Sequence, residues 1–173
     1  MKVSLTKVEY VTRNERPLLF LFGWTEDRQR IIIKVDSFKP YCYVKKEDYV
    51  TGRVPQVYIT RTEPVKERSL NGEELIRVYT RNPTDIKRFR ENATKRGVKT
   101  FEADIPFTRR FMIDAGLFRH IECNPKTKEF RPISNGPNLY RVLFFDIEVA
   151  SGEETIDTLV REAERPIVVI SYA

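Results

Sequence analysis

NPTDIKRFRENATKRGVKTFEADIPFTRRFMIDAGL, residues 82–117, carries the two clearest helix signals of the chain, joined by a short apolar stretch. Asn82 can cap a helix, Pro83 suits its first position, and Asp85 places an acid where the N-terminal dipole favours one. Ile86, Phe89 and Ala93 then fall on one face, and Gly97 is a natural stop. The spacing predicts a helix over Pro83 to about Arg96. Thr100–Ile105 reads as a strand. Pro106–Ala115 reads as a second helix, with Phe107 and Phe111 four residues apart and Gly116 ending it.

Outward toward the N-terminus, the pattern changes to short alternating strands. Val3–Val11, Leu18–Trp24 and Arg30–Val35 are rich in β-branched and aromatic residues, with turn signals at Asn14–Pro17 and Thr25–Arg28. Phe38–Val44 (FKPYCYV) is a strand candidate that Pro40 demotes to an edge or a bulge. Pro55–Thr62 and Glu74–Thr80 are two more, separated by the charged stretch Arg61–Arg68 and the Asn71-Gly72 turn. A β-meander mixed with helices predicts an α+β fold.

Outward toward the C-terminus, Pro125–Asn138 is polar and proline-containing and reads as a linker. Leu139–Ala150 (LYRVLFFDIEVA) and Pro166–Ala173 (PIVVISYA) are apolar strands on either side of the acidic stretch Ser151–Glu164. Two strands do not complete a sheet, so the expected division is 1–137 for a first domain and 138–173 for the incomplete start of a second.

The 173 residues carry a formal charge of +6, with a pI of about 9.3. An excess of Lys and Arg favours polyanionic partners through phosphate contacts and counterion release. Surface cations of thermophilic proteins give the same signal. No run reaches the ~20 apolar residues of a membrane span, and the N-terminus has no signal-peptide pattern. A soluble, cytoplasmic protein is expected. Cys42 and Cys123 are far apart in sequence, and His120 is the one histidine. A zinc site is therefore not expected, and both cysteines read as packing residues.

Two groups of residues have chemical potential. Asp146 and Glu148 are two apart in a strand, so their carboxylates share a face. Hard oxygen ligands so placed suit Mg²⁺ or Mn²⁺, as phosphodiester hydrolysis requires. Acids at a strand end that face solvent or pair with arginine explain the same pattern. Phe38–Tyr41 and Ile105–Arg110 combine aromatic faces, proline-fixed backbone and cations, a mixture that can stack on bases and hold phosphates. Core aromatics with solvated arginines fit it as well. Lys87, Arg88, Arg90, Lys95 and Arg96 read as a solvated helix face. No glycine-rich phosphate loop and no Ser/His/Asp order is found.

FKPYCYV (38–44), EADIPFTRRFMIDAGL (102–117), FFDIEV (144–149) and PIVVISYA (166–173) together, in this order, resemble archaeal family B DNA polymerases. The resemblance implies an N-terminal template-binding, uracil-recognition domain followed by the first strands of an RNase H-like 3′–5′ exonuclease domain. It puts the family's uracil pocket on Tyr10, Pro40, Tyr41, Pro83, Ile86, Ile105, Pro106 and Arg110, with Arg110 bracing the pocket or a phosphate. It puts the family's first exonuclease motif on Asp146 and Glu148, metal ligands only in a complete exonuclease domain. The parent enzyme would use Mg²⁺ or Mn²⁺, whereas this fragment would require neither. Departures from the family pattern fall at Cys42, Ala103 and Ile86, the last bulkier than the usual valine.

The function so implied is that of an N-terminal fragment of a replicative polymerase. It would bind single-stranded template DNA and recognise uracil, with the remainder of the polymerase as partner in cis or in trans. Its expected location is an archaeal cytoplasm, at the nucleoid. Alone, the chain is expected neither to extend a primer nor to degrade DNA. Two other readings are a non-catalytic subunit that completes a split polymerase and a metal-dependent nuclease built on Asp146 and Glu148.

Overall fold

Two antiparallel sheets organise the first part of the chain in the computed structural model, which describes residues 1–127, 129–137, 145–149 and 167–172. The first sheet begins with β1 (Lys2–Arg13), β2 (Arg16–Thr25) and β3 (Arg30–Val35), joined by tight turns. Along β2, Pro17, Leu19, Leu21 and Gly23 point inward in strict alternation, as a sheet with one covered face requires. Gly23 has a packing reason. A Cβ there would lie 2.6 Å from the Val3 side chain and 2.7 Å from the Ser4 carbonyl oxygen. A bulge between Leu5 and Lys7 absorbs one residue opposite this close approach.

The second sheet contains β4 (Tyr41–Lys45), β5 (Ile59–Arg68), β6 (Glu74–Thr80) and β7 (Thr100–Phe101), in the order β5-β6-β4-β7. A short helix, α1 (Lys46–Val50), follows β4, and α2 (Pro83–Lys95) lies between β6 and β7 in sequence. The α2 start is capped from inside: the Asp85 carboxylate accepts the Asn82 N–H at 3.2 Å. Ile86, Phe89 and Ala93 then bury one helix face with Cys42, Val44, Val54, Ile76, Val78 and Val98.

Helix α3 (Phe107–Asp114) sends Phe107 and Phe111 into the other core, with Val3, Leu19, Leu21, Ile33 and Ile121. Two more strands close the first sheet. β8 (His120–Cys123) pairs with β1, and β9 (Phe130–Ile133) pairs with β8, giving the order β3-β2-β1-β8-β9. Further on, β10 (Phe145–Val149) and β11 (Ile167–Tyr172) form a separate antiparallel pair. The chain divides into two compact units, Met1–Leu139 and Tyr140–Ala173. The acidic stretch Ser151–Glu164 lies outside the described residues.

The α+β class holds, and four local expectations are corrected. β4 is an interior strand, because Pro40 sits just outside it and contributes only a carbonyl, which accepts the Thr80 N–H at 3.0 Å. The charged stretch Arg61–Arg68 is strand β5, not a separator, and Glu63 pairs across to Arg77 at 3.0 Å. The expected strand Thr100–Ile105 stops at Phe101, where Glu102 turns the chain with φ +57°. The stretch read as a linker contains β9.

Cys42 and Cys123 are buried, with no exposed surface. Burial pushes the Cys42 thiol up to about 12, against a smaller opposing pull from Arg110. A raised folded value contributes stability that is complete below the ordinary value of 9.0 and is lost as pH rises toward 12. The thermal midpoint should therefore fall above about pH 9, and fall less steeply in Cys42→Ala. Native protein should resist thiol alkylation at both positions until denaturant is added, as mass spectrometry would register. Prompt labelling of the native protein would contradict the buried placement.

Candidate functional site

Tyr10, Pro40, Tyr41, Pro83, Ile86, Ile105, Pro106 and Arg110 come together in one concave pocket of about 270 Å³. They arrive from four places. Tyr10 stands on β1 of the first sheet. Pro40 and Tyr41 stand at the entry to β4 of the second. Pro83 and Ile86 stand on the first turn of α2, and Ile105, Pro106 and Arg110 come from the segment that becomes α3. Residues from 10 to 110 thus meet where the two sheets adjoin.

Each wall is held by its own packing. Ile86 is 8% exposed and belongs to the core under the second sheet, so it is a fixed apolar surface rather than a mobile side chain. Tyr10, half in solvent, sets its ring edge-on to Phe107 at 5.2 Å between centroids. Pro40 is fully buried, and Pro106 fixes the backbone just before α3.

Arg110 is the electrostatic centre of the site. Its side chain is 8% exposed and meets Glu102 at 2.5 Å and Asp114 at 3.7 Å. Its guanidinium also lies 5.1 Å from the Tyr41 ring centroid. Burial works against the Arg110 charge, but Tyr41, Glu102 and Asp114 outweigh it, and its pKa lies above the ordinary value. Asp114 in turn accepts the Tyr41 hydroxyl at 2.5 Å. Burial first, and then this hydrogen bond, push the Tyr41 phenol above its ordinary value, so it stays a neutral donor. Two acids thus flank the arginine, and the group braces Tyr41.

Glu102 and Asp114 were not among the residues singled out in the sequence. Asp114 follows Arg110 by four positions on α3, the helical spacing of an ion pair. Glu102 carried no comparable signal, because its approach depends on a left-handed turn at φ +57°. Thr84, Lys87, Ala103, Phe107 and Thr108 also line the pocket. His120 lies in β8, away from this set in sequence, and burial lowers its pKa.

Asp146 and Glu148 lie on β10, opposite Ser171 and Val169 of β11, and both are exposed. Their two-residue spacing keeps them on one face. No group of three or more His, Cys, Asp or Glu side chains that could hold a metal occurs among the described residues. No helix among them is long and apolar enough to cross a membrane.

The fold has a counterpart in a solved structure, the family B DNA polymerase from the hyperthermophilic archaeon Pyrobaculum calidifontis. The likeness covers 99% of this chain and 25% of that one, with a TM-score of 0.62 at 23% identity. The strand-rich architecture is thus that of the N-terminal domain of a family B polymerase. No family model matches the chain. Among curated proteins it is similar to DNA polymerase 2 of Aeropyrum pernix, 32% identical over 132 residues, and to a DNA polymerase of Desulfurococcus, 29% identical over 180 residues. These matches cover 68% and 95% of this chain. The chain belongs to the archaeal family B DNA polymerases and corresponds to their N-terminal region. It spans 16% and 20% of the length of those two relatives.

Proposed function

We propose that this chain binds single-stranded template DNA and captures uracil in the pocket around Tyr41, Ile86 and Arg110. The observation that carries the reading is the convergence of eight residues from four separate segments on one pocket of about 270 Å³. The walls have the chemistry that a small planar base requires. Ile86 and the prolines are apolar and fixed, so a methyl pressed against them would meet a wall that does not yield. In this reading, backbone groups near Tyr41 and Ile105 meet the amide pattern of uracil, which cytosine lacks. A base taken from single-stranded DNA leaves no pairing partner behind, so its capture costs little.

Arg110 serves this reading as a brace and not as a phosphate anchor, because Glu102 and Asp114 already occupy its charge. Arg110→Ala should therefore lower the preference for uracil at least several-fold while leaving the dependence of affinity on salt unchanged. Oligonucleotide titrations at several salt concentrations check both parts. A salt slope shallower by about 0.7, the value of one phosphate on a single strand, would reassign Arg110 to the DNA backbone.

The second unit supports a coarser proposal. It would begin the exonuclease domain of a longer polymerase, supplied in cis or in trans. Asp146 and Glu148 would offer two of the carboxylates that hold Mg²⁺ or Mn²⁺ there. Two acids on one face are a partial donor set, so no nucleolytic step is assigned to this chain. Calorimetric titration of Mn²⁺ into the chain, with and without Asp146→Ala, tests the pair: it should bind no tighter than the millimolar range.

A further inference from the structure

The pocket around Tyr41 has a neighbour that shares this residue. A second groove, of about 500 Å³, runs along Lys39, Tyr41, Thr60, Arg61 and Tyr79. Its floor is aromatic, with the Tyr41 and Tyr79 rings 5.8 Å apart. Most charges around it are already matched. Arg77 lies over Tyr41 and bonds to Glu63 at 3.0 Å and to the Tyr43 hydroxyl at 3.2 Å. Glu63 also accepts the Tyr79 hydroxyl, at 2.6 Å, and Asp114 is held by Tyr41.

Two cations stand out against this background. Lys39 is exposed and has no ion-pair partner among the described residues. It immediately precedes Pro40 and Tyr41, so its ammonium belongs to the segment that walls the first pocket. Arg61 lies on the Tyr79 ring, 4.3 Å from the centroid, with 64% of its side chain exposed. It touches Glu63 at 2.8 Å, yet most of its side chain stays open to solvent above the ring. A guanidinium on an aromatic ring is a flat cationic platform on which a base can stack, and an ammonium is a point charge for a phosphate.

We propose that this groove holds the nucleotide adjoining the captured base on the same DNA strand, with Lys39 on the phosphate and the Arg61–Tyr79 stack under the base. The proposal rests on the capture reading for the first pocket, because the shared Tyr41 is what makes the two sites consecutive. Continuity through Tyr41 and the positive charge of Lys39 and Arg61 select a nucleic-acid strand over an uncharged or acidic partner.

The test is fluorescence anisotropy with single-stranded DNA carrying one uracil, either flanked on both sides or trimmed to end at the uracil on one side. Lys39→Ala/Arg61→Ala should weaken binding of the doubly flanked strand at least about fivefold, the low end for one base stack. The same pair should make the salt slope shallower by about 0.7 for each phosphate released. The loss should vanish for one of the two trimmed strands, and the ratio of uracil to thymine affinity should stay as in the parent. Lys7→Ala together with Lys34→Ala, two exposed cations paired with Glu9 and Asp36, is the charge-matched control. Unchanged affinity in the double variant, or an equal loss in the charge-matched control, would overturn the proposal. So would a loss that persists for both trimmed strands. A chain that does not distinguish uracil from thymine, yet loses affinity in the double variant, would refute the capture reading and leave the groove as a strand-binding site.

Discussion

Phe89→Ala should cost this protein about 3–5 kcal/mol of folding stability, the range for truncating a fully buried aromatic ring. Phe89 has no exposed surface and stands on the inner face of α2, amid Cys42, Val44, Val78 and Val98. These neighbours belong to β4, β6 and the stretch leading to β7, so removal of the ring leaves a void that no single element can close. Denaturant titration followed by circular dichroism would measure the loss. Ile86, which lines the pocket, is the next buried residue on that helix face and belongs to the same core cluster. Phe89→Leu, which keeps most of the volume, should recover much of the stability. A change under about 1 kcal/mol for Phe89→Ala would mean that α2 is not packed on the sheet as described.

Ile86→Gln should remove most of the discrimination between uracil and thymine. One methyl in a rigid apolar pocket is worth roughly 1–3 kcal/mol. Ile86 satisfies the rigidity condition, since it is 8% exposed and sits one turn into a capped helix. A longer polar side chain at this wall either fills the space for the base or leaves its amide poorly hydrogen-bonded. The variant should lose uracil affinity and keep most of its affinity for strands without uracil, because the cations proposed to hold phosphates lie elsewhere. Competition titrations with paired oligonucleotides would measure this, with a melting curve to show that the fold persists. A variant that retains the full preference would remove Ile86 from the recognition surface.

The elements that the sequence made legible are those with strong local signals. Asn82, Pro83, Asp85 and Gly97 mark the ends of α2, and the observed helix Pro83–Lys95 falls within the expected span. β3 and β6 were read with the bounds they have, because alternation and turn residues agree there. β5 was legible only at its start, where Ile59–Thr62 falls in the expected strand Pro55–Thr62, and the rest was hidden for a physical reason. TEPVKER carries mostly charged side chains, which suit an edge strand whose cross-strand partner is Arg77, but no core face marks it. β8 and β9 were missed because four-residue strands take their stability from pairing with β1 and with each other, a long-range effect absent from local sequence.

The candidate site divides in the same way. Pro40, Tyr41, Ile105, Pro106 and Arg110 fall in motifs that resemble a known family, whereas Tyr10, Pro83 and Ile86 lie outside those motifs and were named only as the family's pocket positions; spacing alone requires no pocket. The brace was half legible. Arg110 and Asp114 are one helical turn apart, whereas Glu102 reaches Arg110 only through the turn after β7. Lys39 and Arg61 are 22 positions apart in the sequence and meet around Tyr41 and Tyr79 only when β4, β5 and β6 pair.

The most direct measurement is the affinity of the unmodified chain for two single-stranded oligonucleotides that differ only by uracil or thymine at one position. With a fixed apolar wall at Ile86 and a Tyr41 braced by Asp114 and Arg110, the uracil strand should bind about tenfold tighter or more. Equal affinities at a salt concentration where both strands bind would contradict the account.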